Sequence, residues 1–194
     1  MSLKLPDNKK FRSVVNNFFK QHSDVLLDIL LFGSVVRGKE HPNDVDILLV
    51  FKDKEDLDIA YSLRKSLDKF CASVQITTRT YASLFDRNFR AREAFLGECF
   101  SLVRNEFVSK GFGYSNWMLF KYSLKGFSQS KRMRLQYALY GRSSPGIVEK
   151  LKLKKFADAV FLCPIEHSEQ LKQFFDYWKI SFENFTVLIP ERVL

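Results

Sequence analysis

The stretch 32–50, FGSVVRGKEHPNDVDILLV, constrains this chain more than any other. It sets a Gly33-Ser34 turn a short loop ahead of Asp44-Val45-Asp46. Asp44 and Asp46 are two apart, so on a strand both carboxylates project from one face. Val45, Ile47 and Leu49 then point the other way, into a core. Two ionised carboxylates so close repel each other, and the arrangement persists only with a compensating cation. A hard divalent metal carrying phosphate oxygens is the obvious candidate. The Gly33-Ser34 turn suits the other half of that task. Glycine lets backbone approach a phosphate closely, and a short helix starting there aims free N–H groups at an anion.

These residues resemble the nucleotidyltransferase superfamily with the DNA polymerase β-type palm, especially its minimal nucleotidyltransferase branch. The family pattern is apolar-Gly-Ser, a loop commonly carrying Arg-Gly, then Asp-apolar-Asp-apolar. Here those positions are Phe32, Gly33, Ser34, Arg37, Gly38, Asp44, Val45, Asp46 and Ile47. The resemblance implies a mixed sheet with helices packed against it. It also implies transfer of a nucleoside monophosphate from a nucleoside triphosphate to a hydroxyl, releasing pyrophosphate. Asp44 and Asp46 would hold Mg²⁺ or Mn²⁺, Gly33 and Ser34 would cradle the β and γ phosphates, and Arg37 and Lys39 would pair with them. The family also expects a third Asp or Glu on the next strand. This chain reads Val74-Gln75-Ile76-Thr77-Thr78 there, so Gln75 takes that catalytic position. A neutral amide offers an oxygen ligand but neither charge nor basicity. Three readings stay open: a weak enzyme, an enzyme using another acid, or a nucleotide-binding relic. Glu98 and Glu106 are the nearest downstream acids. Two other readings of the motif rank lower: an ordinary strand–turn–strand with an acidic edge, and the Asp-x-Asp of metal-dependent sugar transferases. The latter does not call for a Gly-Ser turn upstream.

The 194 residues suffice for one sizeable domain or two small ones, and 20 Phe can supply the core. Net charge is +9, which favours polyanions as partners. The charge is concentrated. Residues 110–155 hold eleven Lys or Arg against one acid, Glu149, whereas 1–109 hold seventeen basic and fifteen acidic side chains. Aromatic residues such as Trp117, Phe120, Tyr122 and Tyr137 interleave the basic stretch. Basic side chains neutralise phosphates and aromatic faces stack bases, so a nucleic-acid surface is expected there, with Lys131, Arg132 and Arg134 on its helix. Individually, most of these aromatics are expected in the core. Cys71, Cys99 and Cys163 form no Cys-x-x-Cys pair and read as buried reduced thiols. His22, His41 and His167 lack zinc-type spacing. No signal peptide or membrane span is read from the sequence, since the longest apolar stretch, 25–32, is interrupted by Asp28. A cytoplasmic location is therefore expected.

The expected organisation is an α+β chain in two domains. Residues 1–110 form the nucleotidyltransferase-like domain and 111–194 a basic α+β domain of no recognised type. In the first, Asp7 caps a helix to about residue 21, and strands follow at 25–32 and 44–51. A helix capped by Asp53 runs to about residue 70, with Leu57, Ala60, Tyr61, Leu63, Leu67 and Phe70 as buried candidates. A third strand at 72–78, a mostly helical 81–95 carrying Arg87, Arg90 and Arg92, and a short strand at 100–103 complete it. In the second, strands are expected at 117–124, 158–163 and 182–189. Helices are expected after Ser128, closed by Gly141, and at 146–151 and 165–178. The acceptor is left open among RNA, a protein hydroxyl and a small molecule. The runner-up function is a degenerate nucleotide- or nucleic-acid-binding protein on the same scaffold. A third is an antitoxin-like regulator, though such proteins usually lack so large an added domain.

Overall fold

A computed structural model describes residues 8–39, 42–70, 73–89 and 92–193. Asp7, His41, Cys71, Ala72 and Arg90 lie outside the described residues. The chain folds into two sheets flanked by helices. The first is mixed, with five strands. β1 (Leu26–Phe32) pairs antiparallel with β2 (Val45–Phe51), and β2 pairs parallel with β3 (Val74–Thr80). Two short strands, β4 (Phe100–Ser101) and β5 (Glu106–Phe107), extend the other edge, giving the order β3-β2-β1-β4-β5.

Helices cover both faces of this sheet. On one lie α1 (Asn8–Gln21) and α2 (Leu57–Leu67), built for the purpose by apolar stripes. Phe11, Val15 and Phe18 of α1 and Leu63 and Leu67 of α2 bury against Ile29, Leu31, Ile47 and Leu49. The alternation expected from the Asp-Val-Asp motif is thus realised. Asp56, not Asp53, caps α2, accepting from the amides of Asp58 and Ile59 at 2.9 and 3.1 Å. That frame turns Ala60, Leu63 and Leu67 inward and leaves Leu57 and Tyr61 exposed, against expectation. The second face is covered by a 3₁₀ turn (Ala82–Phe85) and α3 (Arg92–Glu98). Leu84, Phe89 and Cys99 pack there on Leu30, Leu48 and Val50. A continuous helix over 81–95 does not form, because the Asp86 carboxylate accepts from the Asn88 amide at 2.8 Å and turns the chain.

The second sheet is antiparallel, in the order β7-β8-β6-β9. Its strands are β6 (Tyr114–Ser123), β7 (Lys154–Ala157), β8 (Val160–Pro164) and β9 (Ser181–Pro190). One face packs α4 (Gln129–Tyr140), α5 (Ile147–Lys150) and α6 (Ser168–Trp178) around Phe120, Phe161 and Phe175. Ser128 caps α4 through the Lys131 amide, and Gly141 closes it at φ 88°. The two parts meet closely, since Ile165, which precedes α6, is fully buried within the first core. Cys99 and Cys163 are buried, and burial pushes both thiols well above their ordinary range. Among the described residues no helix is long and apolar enough to cross a membrane.

Asp28, the charge that interrupts β1, is buried. Its Oδ1 accepts from Ser101 Oγ and from the Ile29 amide, both at 2.8 Å. Burial raises its carboxyl above the usual range, opposed by the Ser101 and Ile29 hydrogen bonds and by Arg104. The folded state therefore holds this proton more tightly than the unfolded chain. Its contribution to stability is full below the unfolded pKa and is lost as pH rises through the raised native value. Asp28→Asn keeps an oxygen acceptor and carries no charge. Its melting temperature at pH 7 should equal or exceed that of the wild type, with a flatter profile above about pH 4. A lower melting temperature at pH 7 with an unchanged pH slope would contradict this account.

Candidate functional site

The site lies where β1 ends and β2 begins. β1 and β2 place Phe32 opposite Asp46, so the chain leaves β1 into the 33–38 turn directly beside that carboxylate. Gly33 has φ +77°, and a Cβ on it would fall onto Asp46 Oδ2. Glycine is required here twice over, by conformation and by space. The turn continues with Arg37 N donating to Gly33 O at 3.3 Å and Lys39 N to Ser34 O at 3.0 Å. The N–H groups of Ser34, Val35 and Val36 precede the first of these bonds, as at the start of a helix. Gly33→Ala should cost roughly 1–2 kcal/mol in backbone strain alone and should displace Asp46. A melting curve and a divalent-cation titration read both effects, and unchanged values in both would remove the close approach from the argument.

On the far side of β2, the parallel register sets Gln75 beside Asp46. Gln75 Nε2 donates to Asp44 Oδ2 at 2.7 Å. Asp44, which immediately precedes β2, therefore shares the face of Asp46 and Gln75. The amide occupies the place expected of a third carboxylate and ties down one of the two acids. Burial raises the Asp46 pKa, the charge of Asp44 adds to this, and Arg37 opposes both. Two half-buried carboxylates with this mutual repulsion suit a cation. Among the described residues no three His, Cys, Asp or Glu side chains gather as a metal site. The donors fit magnesium nonetheless, since that ion takes one or two carboxylates and completes its shell with water and substrate phosphates.

Arg37 is engaged by protein carboxylates. Its Nη1 lies 2.6 Å from Glu98 Oε2 and its Nε 3.2 Å from Glu169 Oε1. Glu98 ends α3 and also accepts from Thr186 Oγ1 of β9 at 3.1 Å, while Glu169 opens α6 and holds Lys172 at 2.9 Å. Glu98 thus approaches the site through Arg37 rather than by joining the Asp44–Asp46 pair. Glu106 lies on β5, beyond β1 and β4 from the acids. Lys39 follows the turn with its side chain half-buried. Gly38 (φ +86°) has no room for a Cβ against the Glu166 carbonyl, which closes α6 onto the turn. Sequence reasoning missed Glu166, Glu169 and Thr186, which reach the turn from the far end of the chain. No local motif marks them.

The three expected nucleic-acid residues lie on α4, apart from one another in role. Lys131 Nζ sits 3.6 Å from the Phe127 ring centroid. The Arg132 guanidinium donates to the Leu124 and Phe127 carbonyls at 2.9 and 3.2 Å. Both fold back on the preceding turn, whereas Arg134 is exposed and makes no such tie among the described residues.

Residues 14–93 match the family model described as Polymerase beta, Nucleotidyltransferase. That span contains Gly33, Ser34, Arg37, Lys39, Asp44, Asp46 and Gln75, and stops short of Glu98 and of the second sheet. Neither the curated proteins nor the solved structures give a significant match to the chain.

Proposed function

Because residues 14–93 match the nucleotidyltransferase family model, we propose that the protein transfers a nucleoside monophosphate from a nucleoside triphosphate to a hydroxyl acceptor. The observation that carries this reading is the Asp46 carboxylate seated over Gly33 with Asp44 beside it. In this reading Asp44 and Asp46 hold a divalent cation, Mg²⁺ or Mn²⁺. When bound, that ion neutralises charge on the triphosphate oxygens. The backbone after Gly33 accepts the β and γ phosphates, and Arg37 and Lys39 pair with them. Arg37 is preset for this by Glu98 and Glu169, and shares or exchanges those partners when phosphate arrives. Gln75 orients Asp44 through its amide, and it cannot take the proton of the attacking hydroxyl. The division into residues 1–110 and 111–194 belongs to the same reading, the second part presenting the acceptor or docking a partner protein.

The test is incubation with labelled nucleoside triphosphates, Mg²⁺ or Mn²⁺ and a mixed RNA pool, beside an Asp44→Asn/Asp46→Asn control. Metal-dependent label that disappears in the control supports transfer. A second reading, a degenerate nucleotide- or nucleic-acid-binding protein, is favoured by the Gln75–Asp44 hydrogen bond, which fills the third-acid position with a neutral group. Nucleotide binding without transfer would support it.

RNA is the acceptor favoured by the basic stretch 110–155. Arg134 and Lys125 are both exposed, and reversing them spares the turn that Arg132 holds. Arg134→Glu with Lys125→Glu should weaken RNA binding and lower the salt slope by about one for each phosphate no longer neutralised. Unchanged binding at low salt would leave a protein or small-molecule hydroxyl as the better acceptor.

A further inference from the structure

We infer that the cleft between α3 and β9 receives the base of the nucleotide, and that it selects bases carrying an exocyclic amino group. This deepens the nucleotidyltransferase reading and rests on it. The cleft has a volume of about 450 Å³ and is lined by Glu93, Gly97 and Glu98 from α3 and by Phe185, Thr186 and Leu188 from β9. That is the scale of a small-ligand site. Gly97 makes the cleft as much as it lines it. A Cβ there would meet Thr186 Cγ2 at 3.0 Å, so the missing side chain lets β9 approach α3.

The cleft is continuous in chemistry with the phosphate turn. Glu98 is common to both, holding Arg37 at 2.6 Å on one side and Thr186 at 3.1 Å on the other. Arg37 in turn acts on the charge of Asp46. A nucleotide with its phosphates at Gly33 and Arg37 would therefore find this cleft within reach of its sugar and base.

The lining says what enters. Phe185 is a large aromatic side chain, 54% exposed. Aromatic faces stack bases irrespective of their identity. Glu93 is exposed, and its carboxylate has no hydrogen-bond or ion-pair partner among the described residues. An ionised carboxylate only accepts. It pairs with the amino groups of adenine, cytosine and guanine, as acidic side chains accept from cytosine N4 in duplex readout. Uracil offers one N3–H between two carbonyl oxygens, which repel a carboxylate. The lining thus favours ATP, CTP and GTP over UTP.

Calorimetric titration of the full chain with ATP, CTP, GTP, UTP and inorganic tripolyphosphate, each with Mg²⁺, tests this. Tripolyphosphate reads the phosphate site alone. The expected result is that the amino-bearing nucleotides bind at least about tenfold tighter than both UTP and tripolyphosphate. Phe185→Ala should reduce the ratio of ATP to tripolyphosphate affinity about tenfold, and Glu93→Gln should erase the preference over UTP. Equal affinity for all four nucleotides and tripolyphosphate overturns the cleft and leaves the phosphate site standing. So does a preference that survives both substitutions, because the base then lies elsewhere. Failure of tripolyphosphate and all nucleotides to bind overturns the nucleotidyltransferase reading itself. The two failures are thereby distinguished.

Discussion

Asp46→Asn should lower metal-dependent transfer of label by a factor on the order of 10³, while the metal-free protein melts at the same temperature or higher. The two halves of this expectation come from one geometry. Asp46 is half-buried beside Asp44, and its pKa is raised first by burial and then by that neighbour's charge. At neutral pH the ionised pair is a cost to the fold that Arg37 and the Gln75 amide offset in part and a bound cation would offset further. Asparagine removes the repulsion and keeps the shape, so stability is not lost. It also removes the charge that would hold a cation against the triphosphate. Label transfer and a thermal melt on the same preparation read both. Loss of activity together with a large drop in melting temperature would assign Asp46 a structural role.

Gln75→Asp should raise divalent-cation affinity by one to two orders of magnitude and destabilise the cation-free chain by roughly 1–2 kcal/mol. The native amide gives Asp44 a 2.7 Å hydrogen bond. A carboxylate there withdraws the donor and adds a third negative charge beside two others. A cation then becomes the missing partner, and its binding offsets the loss by about 2.7 kcal/mol at a hundredfold excess over Kd. Melting temperature should therefore depend steeply on Mg²⁺ in this variant and weakly in the wild type. If cation affinity does not rise, Gln75 is not standing in for a ligand.

The parts of the fold legible in the sequence were those specified within a few residues. Ser128 and Gly141 bracket α4 as read, because a cap and a positive-φ stop act locally. Asp46 met Gly33 with Asp44 beside it, because a turn and a two-residue period leave little choice. Gln75 landed beside Asp46 because the third strand kept the register of its apolar neighbours. Where two local choices competed, reading failed. Asp53 and Asp56 can each cap a helix, and burial of Ala60, Leu63 and Leu67 chose between them. β7 was not expected, since Lys154–Ala157 is exposed along its whole length and shows no alternation. The partners of Arg37 were the least legible, since Glu169 lies 132 positions away and only the closed tertiary structure brings it near.

Ile165 carries a consequence for how such a chain can be inherited. Its side chain comes from the later part of the sequence and is fully buried in the core of the earlier part. Glu169 reaches the 33–38 turn from the same segment, and the Glu169 amide donates to the Arg37 carbonyl at 3.1 Å. Exchange of everything after residue 110 for an unrelated sequence would leave a hole in the first core and a guanidinium short of one carboxylate. The Gly33–Asp46 motif is thus not a portable cassette in this protein. Recombination would have to carry the segment around Ile165 along with it, so the two parts are expected to share one evolutionary history.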